Sequence, residues 1–127
     1  MMKLLTITVP SYNSEAYLDR CMATLLPGGD EVEILIVDDG STDRTAEIAD
    51  EYERKYPNIV RAIHKENGGH GDAVTTGIRN ATGLFFKVVD SDDSLAPEAY
   101  KQVLDFLRRI VKKNHELDML ISNFVYD

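Results

Sequence analysis

The chain has 127 residues, one domain's worth and too few for two independent cores. With 43% apolar and 28% charged residues it can bury a core, while 22 acidic against 14 basic residues leave a net charge of −8 that repels a naked polyphosphate, so nucleic acid is not an expected partner unless a metal intervenes. Cys21 stands alone and cannot form an internal disulfide, the N-terminus has no basic segment and long apolar run, and no stretch reaches the roughly 20 apolar residues that span a bilayer; a cytoplasmic chain without a transmembrane segment is expected.

The run from Lys3 to Val9 is apolar and β-branched, as for a strand buried on both faces, and Pro10 is expected to close it. From Ser14 to Leu26 a helix is predicted, with Leu18, Cys21, Met22 and Leu25 on one stripe, stopped by Pro27-Gly28-Gly29. Glu33 to Val37 reads as a second strand. The turn from Asp38 to Asp43 then leads into a helix running to about Tyr56, with Thr42 or Asp43 as N-cap. A short strand from Ile59 to Ile63 precedes the glycine-rich Asn67 to Gly71. The helix after it carries Val74, Gly77, Ile78 and Ala81, with Gly77 packed closely on the sheet. Leu84 to Val89 is a fourth strand, ending in Asp90-Ser91-Asp92-Asp93. Pro97 opens a fourth helix, with Tyr100, Val103, Leu104, Leu107 and Val111 as its buried stripe, and a fifth strand is expected from Leu117 to Ile121. Strands alternating with helices across short loops imply right-handed crossovers. The fold class is therefore α/β, a parallel, doubly wound, Rossmann-like sheet with helices on both faces.

Ligands of such sheets bind beyond the carboxyl ends of the strands, and the unusual residues stand there. Asp90 and Asp92, at i and i+2 of an extended segment, point the same way and suit one hard cation, Mg²⁺ or Mn²⁺, which would bridge diphosphate oxygens. An isolated Asp-x-Asp is more often turn and cap chemistry, but a strand end opposite a second acidic loop favours the metal. Asp38 and Asp39 divide between a structural turn role and accepting hydrogen bonds from a base N–H or a ribose hydroxyl. Tyr12 either offers its face to a nucleobase or closes the core. The Asn67 to Gly71 loop presents backbone N–H groups to an anion such as diphosphate. His70 either touches a ligand or is an exposed loop residue, and His64 and His115 show no partner in the sequence.

Val9-Pro10-Ser11-Tyr12-Asn13, Val37-Asp38-Asp39-Gly40-Ser41-Thr42-Asp43, Asn67-Gly68-Gly69 with Ala73 and Gly77-Ile78, Ala81-x-Gly83, and Asp90-Ser91-Asp92-Asp93 together resemble family 2 glycosyltransferases. Each motif is weak alone; four in register are specific. The resemblance implies a GT-A fold, a nucleotide-diphospho-sugar donor, a UDP-sugar above others, and transfer with inversion to a sugar or lipid-linked acceptor. Carried over by position, Pro10, Tyr12, Asn13, Asp38, Asp39, Gly68, Gly69 and Asp90 would form the donor nucleotide site. Asp90 and Asp92 would hold the metal, with Asp93 coordinating indirectly or capping the turn. Residues His70-Gly71-Asp72 stand where many members carry other small or polar residues.

In the family the base that deprotonates the acceptor follows the Asp-x-Asp in a second half, and neither Asp118 nor Asp127 is followed by such a segment. The expectation is one domain, 1–127, supplying the donor site, with the general base beyond residue 127. Self-association through an exposed sheet edge is expected, and peripheral membrane attachment of a longer protein is compatible with it. Two other classes share features with the chain. A haloacid-dehalogenase-like phosphatase uses a similar Asp-x-Asp, but as the opening motif, and a receiver-like or non-catalytic nucleotide-binding module shares the size and the clustered aspartates.

Overall fold

A computed structural model describes residues 2–113, so the expected fifth strand, His115, Asp118 and Asp127 lie outside the described residues. Four strands, β1 (Leu5–Ser11), β2 (Val32–Asp39), β3 (Val60–Lys65) and β4 (Phe85–Val88), form one parallel sheet in the order β3-β2-β1-β4. The helices between and after them are α1 (Leu18–Leu25), α2 (Thr45–Lys55), α3 (His70–Asn80) and α4 (Pro97–Lys113).

Side chains alternate across the sheet, and the alternation sorts the helices. Leu5, Ile7 and Val9 of β1, with Ile34 and Ile36 of β2 and Val60 of β3, meet Leu18, Cys21, Met22 and Leu25 of α1, Ala49 of α2, and Tyr100, Leu104 and Leu107 of α4 in the main core. Leu35 and Val37 face the other way and pack with Ile63 against Ala73 of α3. Gly77 brings α3 down onto β1, since a Cβ there would lie 2.3 Å from the Thr8 methyl. The same face holds a buried polar patch: Glu33, 6% exposed, accepts from the Thr6 hydroxyl (2.9 Å) and the Thr82 N–H (2.9 Å), with Arg61 3.6 Å away.

Several boundaries differ from expectation for identifiable reasons. Pro10 does not close β1: it pairs in register with Val37. The Thr8 carbonyl faces β4, accepting from Val89, and two residues later the Pro10 nitrogen faces the same side, beyond the last paired residue Val88, so no ladder donor is lost. The segment from Ser14 to Tyr17 is a turn and α1 begins at Leu18; after Leu25 the chain tightens into a 3-10 segment, Leu26–Glu31, broken at Gly29. Strand β3 starts and ends later than predicted. Val103 is 40% exposed rather than buried, because Tyr100, Leu104 and Leu107 already complete the narrow stripe by which α4 meets the sheet.

Candidate functional site

The carboxyl ends of all four strands open onto one edge. β1 delivers Tyr12, its side chain half exposed and not closing the core, and Asn13, a non-glycine residue at φ 49°. That left-handed conformation, which asparagine tolerates, turns its side chain toward the next loop. Asn13 Oδ1 accepts the Thr42 N–H (2.8 Å), and its own N–H donates to Ser41 Oγ (3.0 Å). Pro10 and Ser11 are buried beneath this stitch. Asn13, expected at the nucleotide, therefore spends its side-chain oxygen on holding the β1 and β2 loops together.

Asp38 and Asp39 end β2 on opposite faces, each 4% exposed. Asp38 Oδ1 accepts the Ser41 N–H (3.0 Å), while Oδ2 meets His64 Nδ1 (3.0 Å); the other His64 nitrogen reaches Asp50 (2.7 Å). Hydrogen bonds donated to these two carboxylates, Asp38 foremost, raise the imidazole pKa above its ordinary 6.5. Asp39 accepts the Lys65 ammonium (2.7 Å) and the N–H groups of Gly68 and Gly69 (2.9 Å each). Burial opposes its charge, but these donors outweigh burial and hold its carboxyl below the ordinary 3.8. Gly40, at φ 70°, lets the Asn67 backbone pass where a Cβ would lie 2.6 Å from its nitrogen. The glycine loop thus hangs on Asp39: the two N–H groups expected to meet an anion already have one, a protein carboxylate.

Asp43 takes the capping role. Arg44 is the residue before α2, but Asp43 Oδ1 receives the Thr45 N–H (2.9 Å) and hydroxyl (2.5 Å). Burial works against its charge, and these bonds, with one from the Glu15 N–H, keep its pKa low.

Beyond β4 the chain does not stay extended. The Asp93 N–H returns to the Asp90 carbonyl (2.9 Å), closing a turn, so the i, i+2 argument for Asp90 and Asp92 does not apply as stated. The turn achieves more: Asp90, Asp92 and Asp93 each bring a carboxylate oxygen within 4.8 Å of the others. Asp92 and Asp93 are exposed, and three converging carboxylates are a donor set that fits Mg²⁺ or Mn²⁺. His70, the first residue of α3, is exposed and lies 2.7 Å from Asp90 Oδ1 through Nε2, bringing the glycine loop and the acidic turn together. Below the turn, burial and then Asp93, Asp92 and Asp90 push the Cys21 thiol up to about 12, so it stays protonated.

Four side chains have roles that the sequence did not point to: Lys65, Asn67 (whose amide donates to the Asp39 carbonyl, 3.0 Å), Ser14 and Ser91. Two cavities lie elsewhere. One of 600 Å³ opens at the amino ends of the strands, beside Lys3, Asp30 and Arg108, and one of 440 Å³ separates α1 from α4.

The model of the family described as "Glycosyl transferase family 2" matches residues 6–113, all four strands and all four helices. The chain belongs to glycosyltransferase family 2. The Bacillus subtilis glycosyltransferase EpsJ is 37% identical over 83% of this chain and 30% of its own length, and the Escherichia coli chondroitin synthase is 38% identical over 94% and 19%. Among solved structures, S. aureus TarS 1-349 in complex with UDP-GlcNAc is 30% identical, with a TM-score of 0.73 over 84% of this chain and 31% of that one. The mannosyltransferase PcManGT of Pyrobaculum calidifontis, at 23% identity over 84% and 33% with a TM-score of 0.73, shares the fold. The chain spans about a third of the length of the first of these relatives. Family membership over residues 6–113 sets aside the phosphatase and receiver classes, and the Rossmann-like GT-A fold is that of its structural neighbours. Among the described residues no helix is long and apolar enough to cross a membrane.

Proposed function

We propose that the chain is the donor-binding part of an inverting glycosyltransferase, which moves a sugar from a nucleotide-diphospho-sugar, a UDP-sugar above others, to the hydroxyl of a sugar or lipid-linked acceptor. The observation that carries this is the convergence of Asp90, Asp92 and Asp93 on the edge that also bears Tyr12 and the Gly68-Gly69 loop, in a chain of this family. TarS, solved with UDP-GlcNAc and with UDP, supports a uridine donor.

In this reading the exposed Tyr12 ring faces the base. Asp38 and Asp39 shape the floor, and each keeps a carboxylate lone pair for a base N–H or a ribose hydroxyl. Pro10 and Asn13 fix the approach of the β1 loop. Asp90 and Asp92 hold Mg²⁺ or Mn²⁺, which when bound neutralises charge developing on the diphosphate leaving group. Gly69 and Gly71 leave open space at the start of α3, where a Cβ would meet nothing within 4 Å, so a diphosphate can approach the backbone there. Inversion requires a base opposite the leaving group, within hydrogen-bond reach of the acceptor hydroxyl, and no described residue is assigned that role.

Calorimetric titration with UDP-sugars tests the proposal. Binding in millimolar Mn²⁺ that weakens at least tenfold in EDTA or in Asp92→Ala is expected. Absence of nucleotide binding with the metal present would overturn it.

A further inference from the structure

Ser91 sits between the two proposed metal carboxylates yet faces inward: it is 8% exposed, and its hydroxyl lies 2.6 Å from that of Ser14, itself 3% exposed and 77 positions away. A proton inventory orients the pair. Ser14 Oγ donates to the Tyr12 carbonyl (3.3 Å), which leaves the Ser91 proton to be donated to Ser14 Oγ. From Ser14 the connections continue to a third loop, because its N–H donates to Thr45 Oγ1 (2.8 Å) and the Thr45 hydroxyl donates to Asp43. Asp43 also accepts the Glu15 N–H through its other oxygen (3.2 Å). The Ser91 and Ser14 hydroxyls therefore tie the acidic turn to the Tyr12 loop, and the Ser14 N–H and the Thr45 hydroxyl tie that loop to the start of α2.

Burying two hydroxyls is costly where two methyl groups would fill the space, and their return is a fixed geometry between loops. We propose that the Ser91–Ser14 pair is a positioning latch. It sets the spacing between Tyr12, on the nucleoside side, and Asp90 and Asp92, on the metal side, so that one ligand engages both ends at once. The latch rests on the donor-site reading above. Neither serine touches the ligand; both act through the residues beside them.

Because the spacing matters only when both ends are engaged, loss of the latch separates metal-dependent from metal-free binding. UDP affinity is measured by calorimetry in Mn²⁺ and in EDTA, and Mn²⁺ affinity by electron paramagnetic resonance, for the wild-type chain, Ser91→Ala, Ser14→Ala and the double variant. In Mn²⁺, each single variant is expected to bind UDP about tenfold more weakly, the size of one buried hydrogen bond, and the double variant no more weakly than either. In EDTA all four agree within about twofold. Variants that melt earlier but keep wild-type Mn²⁺ and UDP affinity would overturn the latch and leave the donor site standing, as would losses that add in the double variant. A wild-type chain that binds neither Mn²⁺ nor UDP would overturn both.

Discussion

Two acidic runs end two strands of the same sheet, and they are built in opposite ways. At the end of β2, Asp38 and Asp39 are 4% exposed and receive donors from Ser41, His64, Lys65, Gly68 and Gly69. At the end of β4, Asp90, Asp92 and Asp93 crowd within 4.8 Å of one another, and the exposed His70 ring lies 2.7 Å from Asp90. Like charges gathered together repel, which is why the second run, unlike the first, fits the cation of the proposed donor site. The first run is the frame that ties the neighbouring loops together.

The contrast is sharpest in stability. Asp39→Ala strands two backbone N–H groups and takes from the Lys65 ammonium one of its two carboxylates, Asp72 remaining, and should lower unfolding free energy by about 3 kcal/mol in urea titrations. A loss under about 1 kcal/mol would break the contrast. Gly40→Ala forces a side chain onto φ 70° against the Asn67 backbone, and a cost of about 2 kcal/mol is expected in the same assay. The pH dependence of His64 is a smaller effect with a definite sign. Its folded pKa is raised, so its stabilisation is complete below 6.5, the unfolded value, and is lost as pH rises through the folded one. The difference in urea midpoint between wild type and His64→Gln should therefore shrink as pH rises from 6 to about 9, and a constant difference would deny the bridge to Asp38 and Asp50. Asp39, with its pKa lowered, behaves in the opposite sense: its contribution is present above 3.8 and lost as pH falls through the folded value. Smallest is Asp92→Ala, where unfolding free energy should stay within about 0.5 kcal/mol of wild type while metal-dependent nucleotide binding is lost.

Apolar spacing and loop chemistry made the order of strands and helices legible, and with it the edge on which Tyr12, Asp38, Asp39, Gly68 and Asp90 gather. Partnerships across the sheet were not legible. Lys65 reaches Asp39 because β3 pairs with β2 in a register placing Lys65 opposite it, and periodicity along one segment carries no register information. Ser91 reads as a spacer between two aspartates until the fold brings Ser14 beneath it. The convergence of Asp90 and Asp92 expected from an extended strand has another origin: a turn closed by the Asp93 N–H gathers the three carboxylates. His64 looked unpartnered because Asp38 and Asp50 lie 26 and 14 positions away.

The central claim is that donor and metal share the acidic edge, and amide spectra of the nitrogen-15-labelled chain locate them directly. On adding UDP-GlcNAc with Mg²⁺, shifts should concentrate at residues 11–13, 67–71 and 90–93, and substoichiometric Mn²⁺ should broaden residues 90–93 first. Shifts confined to residues beside the opposite cavity, such as Lys3, Glu31 and Arg108, or broadening that spares residues 90–93, would contradict the account.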